Sequence, residues 1–193
     1  DTFFSPKDLG SSKRFLTKLW NASRFAISHL QDIPWTKGLN MQDKKDSMPD
    51  ISGLLPIDKW MIMRTKEVIA KATRLLNEYE IGAARHEIDD LFWKDFCDNY
   101  IEIVKERLYR PDIHGIENRQ SGQYALYYTL LNILKLYAIY VPHITESIYQ
   151  EFFRQYEREK SLHLLLWEQP ENVDTKLLAF GDMIKDQIAK MRK

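Results

Sequence analysis

Hydrophobic positions recur at helical spacing along most of this chain. The first pattern begins at Ser5-Pro6, a capping serine followed by a proline suited to a first helical turn, and runs to about Gln31. Further patterns predict four more long helices and a C-terminal helix, at about Ile57–Tyr79, Ile81–Arg110, Arg119–Tyr140, Pro142–Tyr156 and Val173–Arg192. Since no segment alternates convincingly as a strand, the chain is predicted to be all-α.

Three segments lack this helical period. Residues 33–56 contain three prolines and two glycines and are predicted to form a long loop. Residues 112–118 are predicted to be a turn, and residues 157–171 irregular, with a short extended stretch at 162–167. The helix predicted at Arg119–Tyr140 is apolar on nearly every side, which is typical of a central helix.

The predicted architecture is an antiparallel helical bundle of about five long helices plus a C-terminal helix. We expect residues 1–156 to form the bundle. Residues 157–193 are expected to be an irregular segment and a helix that packs on the bundle or follows it.

Composition narrows the classes of function. The chain has 193 residues, is 44% hydrophobic, and carries 28 Lys and Arg against 28 Asp and Glu, so any nucleic-acid surface must be a local patch. Its single cysteine, Cys97, excludes an internal disulfide and favours a reducing, cytoplasmic setting. Apolar runs fall far below the roughly 18 residues that a membrane span needs. The chain begins with Asp1 and is expected to be a piece of a longer protein.

The sequence contains no recognisable catalytic or metal-binding motif. Its glycines form no phosphate loop, and its five histidines lack the spacing of a zinc site. Cys97 lies on the apolar side of the third helix, so we predict a buried, inert thiol. No catalytic residue, no metal and no cofactor is therefore expected in this chain.

Three charged residues fall within the wide apolar arc of the third helix. Arg85 and Asp89 are four residues apart and can pair, and Arg107 lies on the same arc. Two interpretations remain open: a structural ion pair that fixes helix register, or a face that meets an outside ligand.

The first helix has an unusual polar face. Its core stripe consists of Phe15, Leu19, Ala22, Ala26 and Leu30, widened on one side by Leu16, Trp20 and Ile27. No Asp or Glu occurs from Leu9 to Gln31. The opposite face carries Arg14, Lys18, Asn21 and Phe25 at positions i, i+4, i+7 and i+11.

This face contains the groups that read unpaired RNA bases. Arginine and lysine neutralise phosphates, asparagine offers a donor and an acceptor, and an aromatic ring stacks on a base for about 1–3 kcal/mol. Composition alone leaves the alternative of a solvated basic face, with Phe25 buried by a neighbouring helix.

Five ordered segments resemble the anticodon-binding region of the class I aminoacyl-tRNA synthetases for valine, isoleucine and leucine. The segments are KLWNASRF (Lys18–Phe25), DKW (Asp58–Trp60), FWKDFCDNYIEIVKERLY (Phe92–Tyr109), PHITESIYQ (Pro142–Gln150) and SLHLLLWEQP (Ser161–Pro170). The third, with FCD-x-YIE followed by K-x-RLY, is most similar to the valine-specific branch. The last departs slightly from the family pattern, because two residues separate its tryptophan from its proline.

The resemblance implies a bundle that binds the anticodon stem-loop of a tRNA for valine, within a longer cytoplasmic ligase that uses ATP and Mg²⁺. The motifs of the adenylating site are absent from this sequence, so the chain alone is not expected to aminoacylate. Its expected partners are that tRNA and the catalytic domain of the same parent chain, with no membrane and no second copy. The alternative is a non-catalytic helical bundle that binds a protein partner through the first helix.

The predicted tRNA-binding residues are Lys7, Arg14, Lys18, Asn21, Arg24, Phe25, Trp93 and Lys94. We expect Arg14 and Lys18 to hold phosphate or a base, Asn21 to read or orient, and Phe25 to stack. Lys94 is expected to contact the RNA backbone. Phe96 and Tyr100, from the third segment, are expected to belong mostly to the core.

Overall fold

A computed structural model describes residues 6–33, 51–169 and 173–191. These residues form helices and their connections, without a strand, which confirms the all-α bundle. Five helices are regular: α1 (Pro6–Ser28), α2 (Pro56–Asn77), α4 (Pro111–His114), α5 (Ile116–Tyr137) and α7 (Thr175–Met191).

Two further helices, α3 and α6, change their winding partway along. Helix α3 runs through Ile81–Asp90, a π-helical segment at Leu91–Tyr100, and Ile101–Tyr109. Helix α6 consists in the same way of Pro142–Ile148, a π-helical segment at Tyr149–Phe153, and Arg154–Glu157. A π segment bonds i to i+5 and puts more residues into each turn, so it rotates the faces that follow. Helical periodicity at a constant 3.6 residues per turn did not predict it.

Helices α1 and α3 pack antiparallel to α5, whereas α2 runs parallel to it. Tyr137, near the end of α5, touches Phe15 of α1 and Phe92 of α3, at ring-centroid distances of 4.9 and 5.7 Å. At the opposite end, Gln123 of α5 donates a hydrogen bond of 2.7 Å to the carbonyl of His29. Most of α5 is buried, as its all-round apolar pattern predicted.

A buried carboxylate joins three helices at one end of the bundle. Asp58, in the first turn of α2, is fully buried and accepts hydrogen bonds from Arg107 of α3 (2.7 Å to Nη1) and from the hydroxyl of Tyr100 (2.6 Å). It also accepts one from the hydroxyl of Ser121 of α5, whose oxygen in turn accepts from the amide of Leu55 (2.9 Å). A buried charge needs such partners, because its desolvation is otherwise uncompensated.

The predicted pair of Arg85 and Asp89 is confirmed as an ion pair, with 2.8 Å between Nε and Oδ1. Asp89 also accepts a hydrogen bond of 2.6 Å from Tyr137. The guanidinium of Arg85 lies 4.7 Å from the ring centre of Phe15 and 5.1 Å from that of Tyr140. These contacts favour the structural interpretation, since the charged pair ties α3 to α1 and α5.

The C-terminal helix α7 packs on α2. Gly181 lies so close to Trp60 that an added Cβ would come within 1.9 Å of the indole ring. Two ion pairs flank this contact: Arg64 with Asp182 at 2.6 Å and Lys185 with Asp95 at 2.7 Å. The division of the chain into two units at residue 156 stays a prediction.

Two local predictions were wrong. Residues 112–118 are not one turn, because Pro111 starts the short helix α4 and Gly115, at φ 87°, ends it before α5 begins at Ile116. Proline suits a first helical turn, and a positive φ suits glycine, which explains both bounds. The predicted extended stretch at 162–167 begins instead with a 3₁₀ turn at Leu162–Leu164. Most of the predicted loop, residues 34–50, lies outside the described residues.

Candidate nucleic-acid interface

Helix α1 carries four cations for which the described part of the chain provides no carboxylate partner. Lys13, Arg14, Lys18 and Arg24 all lie on its outer side, and none takes part in an ion pair among the residues that the structure describes. Cations elsewhere are commonly paired, as Arg64 is with Asp182. The unpaired charges follow from the sequence, because α1 offers no acidic residue at i±3 or i±4 from Leu9 onward. The result is a local positive face on a neutral chain.

A first groove lies between α1 and α3, and we call it the basic groove. It has a volume of about 450 Å³ and is lined by Gly10, Lys13, Arg14, Thr17, Lys18, Asn21 and Trp93. The ammonium of Lys18 lies 5.9 Å from the centre of the Trp93 ring, within the range of a cation–π contact. Four of the predicted residues, Arg14, Lys18, Asn21 and Trp93, therefore come together here.

A second groove runs between α1 and α6, and we call it the aromatic groove. It has a volume of about 610 Å³, and its walls include Trp20, Asn21, Arg24 and Phe25 of α1 with Ile148 and Glu151 of α6. Asn21 lines both grooves, so the two are neighbours along α1. Together they contain six of the eight predicted residues.

Phe25 is half-buried, which lies between the two alternatives that the sequence left open. Its ring packs on His29 at a centroid distance of 4.9 Å and approaches Tyr109 of α3 at 6.4 Å. It also lines the aromatic groove. The ring is thus held from one side while part of it remains accessible, as a preformed stacking surface requires.

His29 supports this ring from within the fold. Its side chain is 8% exposed, and its Nε2 atom is buried without a hydrogen-bond partner in the described structure. Burial lowers the pKa of His29 from its usual 6.5, the nearby charge of Arg119 lowers it further, and Asp32 opposes them. The imidazole therefore favours its neutral form. Sequence analysis did not single out this role.

Arg119 and Asp32 form an ion pair beside His29, with 2.5 Å between Nη1 and Oδ2. A hydrogen bond from the Arg119 guanidinium lowers the pKa of the Asp32 carboxyl, and burial opposes that shift only in part. Gln123 donates a second hydrogen bond of 2.8 Å to the same carboxylate. These contacts anchor the end of α1, and with it the helix face that lines both grooves.

Two predicted residues do not join this surface. Lys94 follows Trp93 directly but points to another groove, where it pairs with Asp90 at 2.8 Å near Asp95 and Asp182. Lys7 lies in the first turn of α1, but its side chain is outside what the structure describes. Their roles in RNA binding stay predictions.

Trp20 and Glu151 are among the groove residues that sequence analysis missed. Trp20 was placed at the margin of the core stripe, yet its side chain is 41% exposed and lines the aromatic groove. Its place within the KLWNASRF segment, next to Asn21, was the available signal. Glu151 belongs to a different helix, and no local pattern relates it to α1.

The predicted burial of other residues is confirmed. Phe96 and Tyr100 have no exposed surface, and Cys97 is 5% exposed. Burial raises the pKa of the Cys97 thiol to about 12, which keeps it protonated and unreactive at neutral pH. Within the described ranges, no three His, Cys, Asp or Glu side chains converge as metal ligands, and no helix combines the length and apolarity of a membrane span.

The family match and two relatives of this chain all point to tRNA ligases. Residues 58–193 match the family described as the anticodon-binding domain of tRNA ligase. The chain is 35% identical over 182 residues to the valine–tRNA ligase of Pyrococcus furiosus, covering 93% of this chain and 19% of that protein. It is 36% identical over 166 residues to the valine–tRNA ligase of Rickettsia rickettsii, covering 85% and 19%. The chain thus spans about a fifth of the length of these relatives.

Proposed function

Because the chain belongs to the family of anticodon-binding domains of tRNA ligases, we propose that it binds the anticodon stem-loop of a tRNA for valine. One observation carries the proposal: the acid-free face of α1 presents cations that have no carboxylate partner among the described residues, next to a partly buried aromatic ring. Unpaired RNA is bound by cations that neutralise its phosphates, by aromatic rings that stack on its bases and by amides that form hydrogen bonds with base edges.

In this proposal the two grooves have different tasks. Arg14 and Lys18, in the basic groove, neutralise backbone phosphates, and Trp93 limits the positions open to the Lys18 ammonium. Phe25 stacks on an unpaired base in the aromatic groove. Asn21 lies between them and hydrogen-bonds a base edge, because its amide can donate and accept.

The chain contributes binding rather than catalysis. We infer that it belongs to a longer ligase, in which the ATP- and Mg²⁺-dependent formation of the aminoacyl ester takes place in another domain. The function of this bundle is then to position one end of the tRNA, which fixes the opposite end relative to that domain. We further propose that the chain acts as a monomer in the cytoplasm.

The direct test is a titration of the chain with an anticodon stem-loop hairpin of a tRNA for valine. The control is the same hairpin with its anticodon bases replaced. Weaker binding of the altered hairpin is expected, since base contacts specify while phosphate contacts only position. Equal affinity for the two hairpins would refute anticodon recognition.

A second candidate function is a protein-interaction module, favoured by the exposed Trp20 and the apolar Ile148 in the aromatic groove. Salt separates the two candidates. RNA binding weakens steeply as salt rises, whereas a helix held in an apolar groove is much less sensitive.

A further inference from the structure

The α6 wall of the aromatic groove contains an acidic residue that faces the basic helix. Ile148 and Glu151 of α6 both line the groove, together with Arg24 and Phe25 of α1. The side chain of Glu151 is exposed. It has no hydrogen bond or ion pair within the described parts of the chain, and Arg24 in the same groove does not come within 4 Å of it.

An unpaired carboxylate is unexpected in a groove that is proposed to bind a polyanion. It repels phosphates, so it weakens binding of the backbone and makes the groove unsuited to a phosphate group. A carboxylate only accepts hydrogen bonds, and the donors that RNA offers at base edges include the exocyclic amino groups. Glu151 therefore fits a base edge that carries such a group.

The rest of the groove suits a flat, uncharged ring. Trp20, Phe25 and Ile148 supply apolar and aromatic walls, and the amide of Asn21 adds a donor and an acceptor. The volume of about 610 Å³ falls within the range of about 300–1,000 Å³ that is usual for small-ligand sites. A base lying along these walls could turn its edge towards α6.

We propose that the aromatic groove takes an unpaired base and that Glu151 selects bases with an exocyclic amino group over those without one. The inference rests on the proposed RNA-binding function and deepens it. Adenine and cytosine are accepted at this position, and uracil is disfavoured because its edge presents a carbonyl oxygen to the carboxylate.

The test compares hairpins that differ by one amino group. At each loop position in turn, adenosine is replaced by purine riboside and cytidine by uridine, and the ratio of the two dissociation constants is measured. At one position we expect a ratio of about ten, the effect of one hydrogen bond to a charged group. The purine pair isolates the amino group, because nothing else in the base differs.

Glu151→Gln provides the decisive variant. An amide both donates and accepts, so it can bond either pyrimidine and the cytidine–uridine ratio should fall close to one. The adenosine–purine riboside ratio should decrease, because a hydrogen bond to a neutral amide is weaker than one to a carboxylate. Affinity for the uridine hairpin should stay equal or rise as the repulsion of phosphates is removed. The matched control is Glu102→Gln, an exposed glutamate in α3 outside both grooves, which should keep the wild-type ratio. Melting temperatures of both variants verify folding.

The outcomes separate the two proposals. If the hairpin binds and Phe25→Ala weakens it, but Glu151→Gln leaves the amino-group ratio unchanged, the selective role of Glu151 is overturned while anticodon binding stands. The selective role of Glu151 is also overturned if, in the wild type, removal of the amino group leaves the dissociation constant unchanged at every loop position. If the hairpin binds without regard to its anticodon, both proposals fail.

Discussion

At the scale of single residues, the side chain of Asp58 connects helices α2, α3 and α5. It is fully buried and bonded to Arg107, Tyr100 and Ser121. Asp58→Asn keeps the shape but leaves the Arg107 charge without its partner, so we expect a loss of about 3–5 kcal/mol in the free energy of unfolding. Urea denaturation measures this, with Asp186→Asn on the exposed side of α7 as the control. A loss below about 1 kcal/mol would contradict the role.

The variant Phe25→Ala tests whether Phe25 contributes to RNA binding or to the packing of the core. Because the ring is only half-buried, we expect hairpin affinity to fall by about 1–3 kcal/mol, the usual contribution of base stacking. Phe96→Ala, in the fully buried core, should instead lower the free energy of unfolding by about 3–5 kcal/mol. If Phe25→Ala destabilised the fold as much as Phe96→Ala and kept RNA affinity, Phe25 would be a core residue only.

His29 predicts a pH dependence of stability. Its folded-state pKa lies below 6.5, so as pH falls through 6.5 the unfolded chain takes up a proton that the folded chain does not. The free energy of unfolding should therefore fall from about pH 6.5 towards the lower folded-state pKa. Urea denaturation at a series of pH values should show a smaller fall in His29→Phe, whereas His143→Gln, at an exposed position, should retain it. The same fall in both variants would speak against His29 as the source.

At the scale of elements, the contact between Gly181 and Trp60 fixes α7 on α2. An added Cβ at residue 181 meets the rigid, buried indole ring at 1.9 Å. We therefore expect Gly181→Ala to displace α7, to lower the melting temperature and to speed proteolytic cleavage within residues 175–191. Gly82→Ala is the matched control, since no atom lies within 4 Å of its added Cβ. That change should stabilise by about 0.4–1 kcal/mol, and equal melting temperatures for the two variants would rule out the close contact.

The sequence predicted most elements because apolar side chains repeat with the helical period. The stripe of α1 from Phe15 to Leu30 is buried as predicted, and so is nearly all of α5. The π segments were not predictable, because hydrophobic periodicity assumes a constant 3.6 residues per turn and a π-helix has more. Helix α4 was missed because four residues are too few to show a period.

Only the part of the candidate interface that lies on α1, the helix with the KLWNASRF segment, was predictable from the sequence. Arg14, Lys18, Asn21 and Phe25 share one face of α1, and their spacing alone shows this. The opposite walls come from α3 and α6, so the positions of Trp93 and Glu151 depend on tertiary packing. Lys94 illustrates the limit: it adjoins Trp93 in sequence yet faces a different groove.

At the scale of the whole molecule, binding should depend on salt through a small part of the surface. The chain is neutral, so the positive face of α1 has to supply the attraction. For hairpin binding, Arg14→Gln with Lys18→Gln should reduce the slope of log K against log salt by about 1.4, because each phosphate neutralised on a single strand contributes about 0.7. Lys71→Gln, whose lysine pairs with Glu87, should leave the slope unchanged. An unaltered slope in the double variant would place the binding surface elsewhere.

The π-helical segment of α3 has a consequence for how this fold tolerates changes in length. Before the segment, Arg85 must face Phe15 and Tyr137; after it, Arg107 must face Asp58. The segment at Leu91–Tyr100 absorbs the difference in phase between these two ends. Deleting one residue between this segment and Arg107, where the winding is ordinary, would rotate Arg107 by about 100°. A shorter α3 would thus carry Arg107 away from the carboxylate of Asp58, and the buried contact that joins α2, α3 and α5 would be lost.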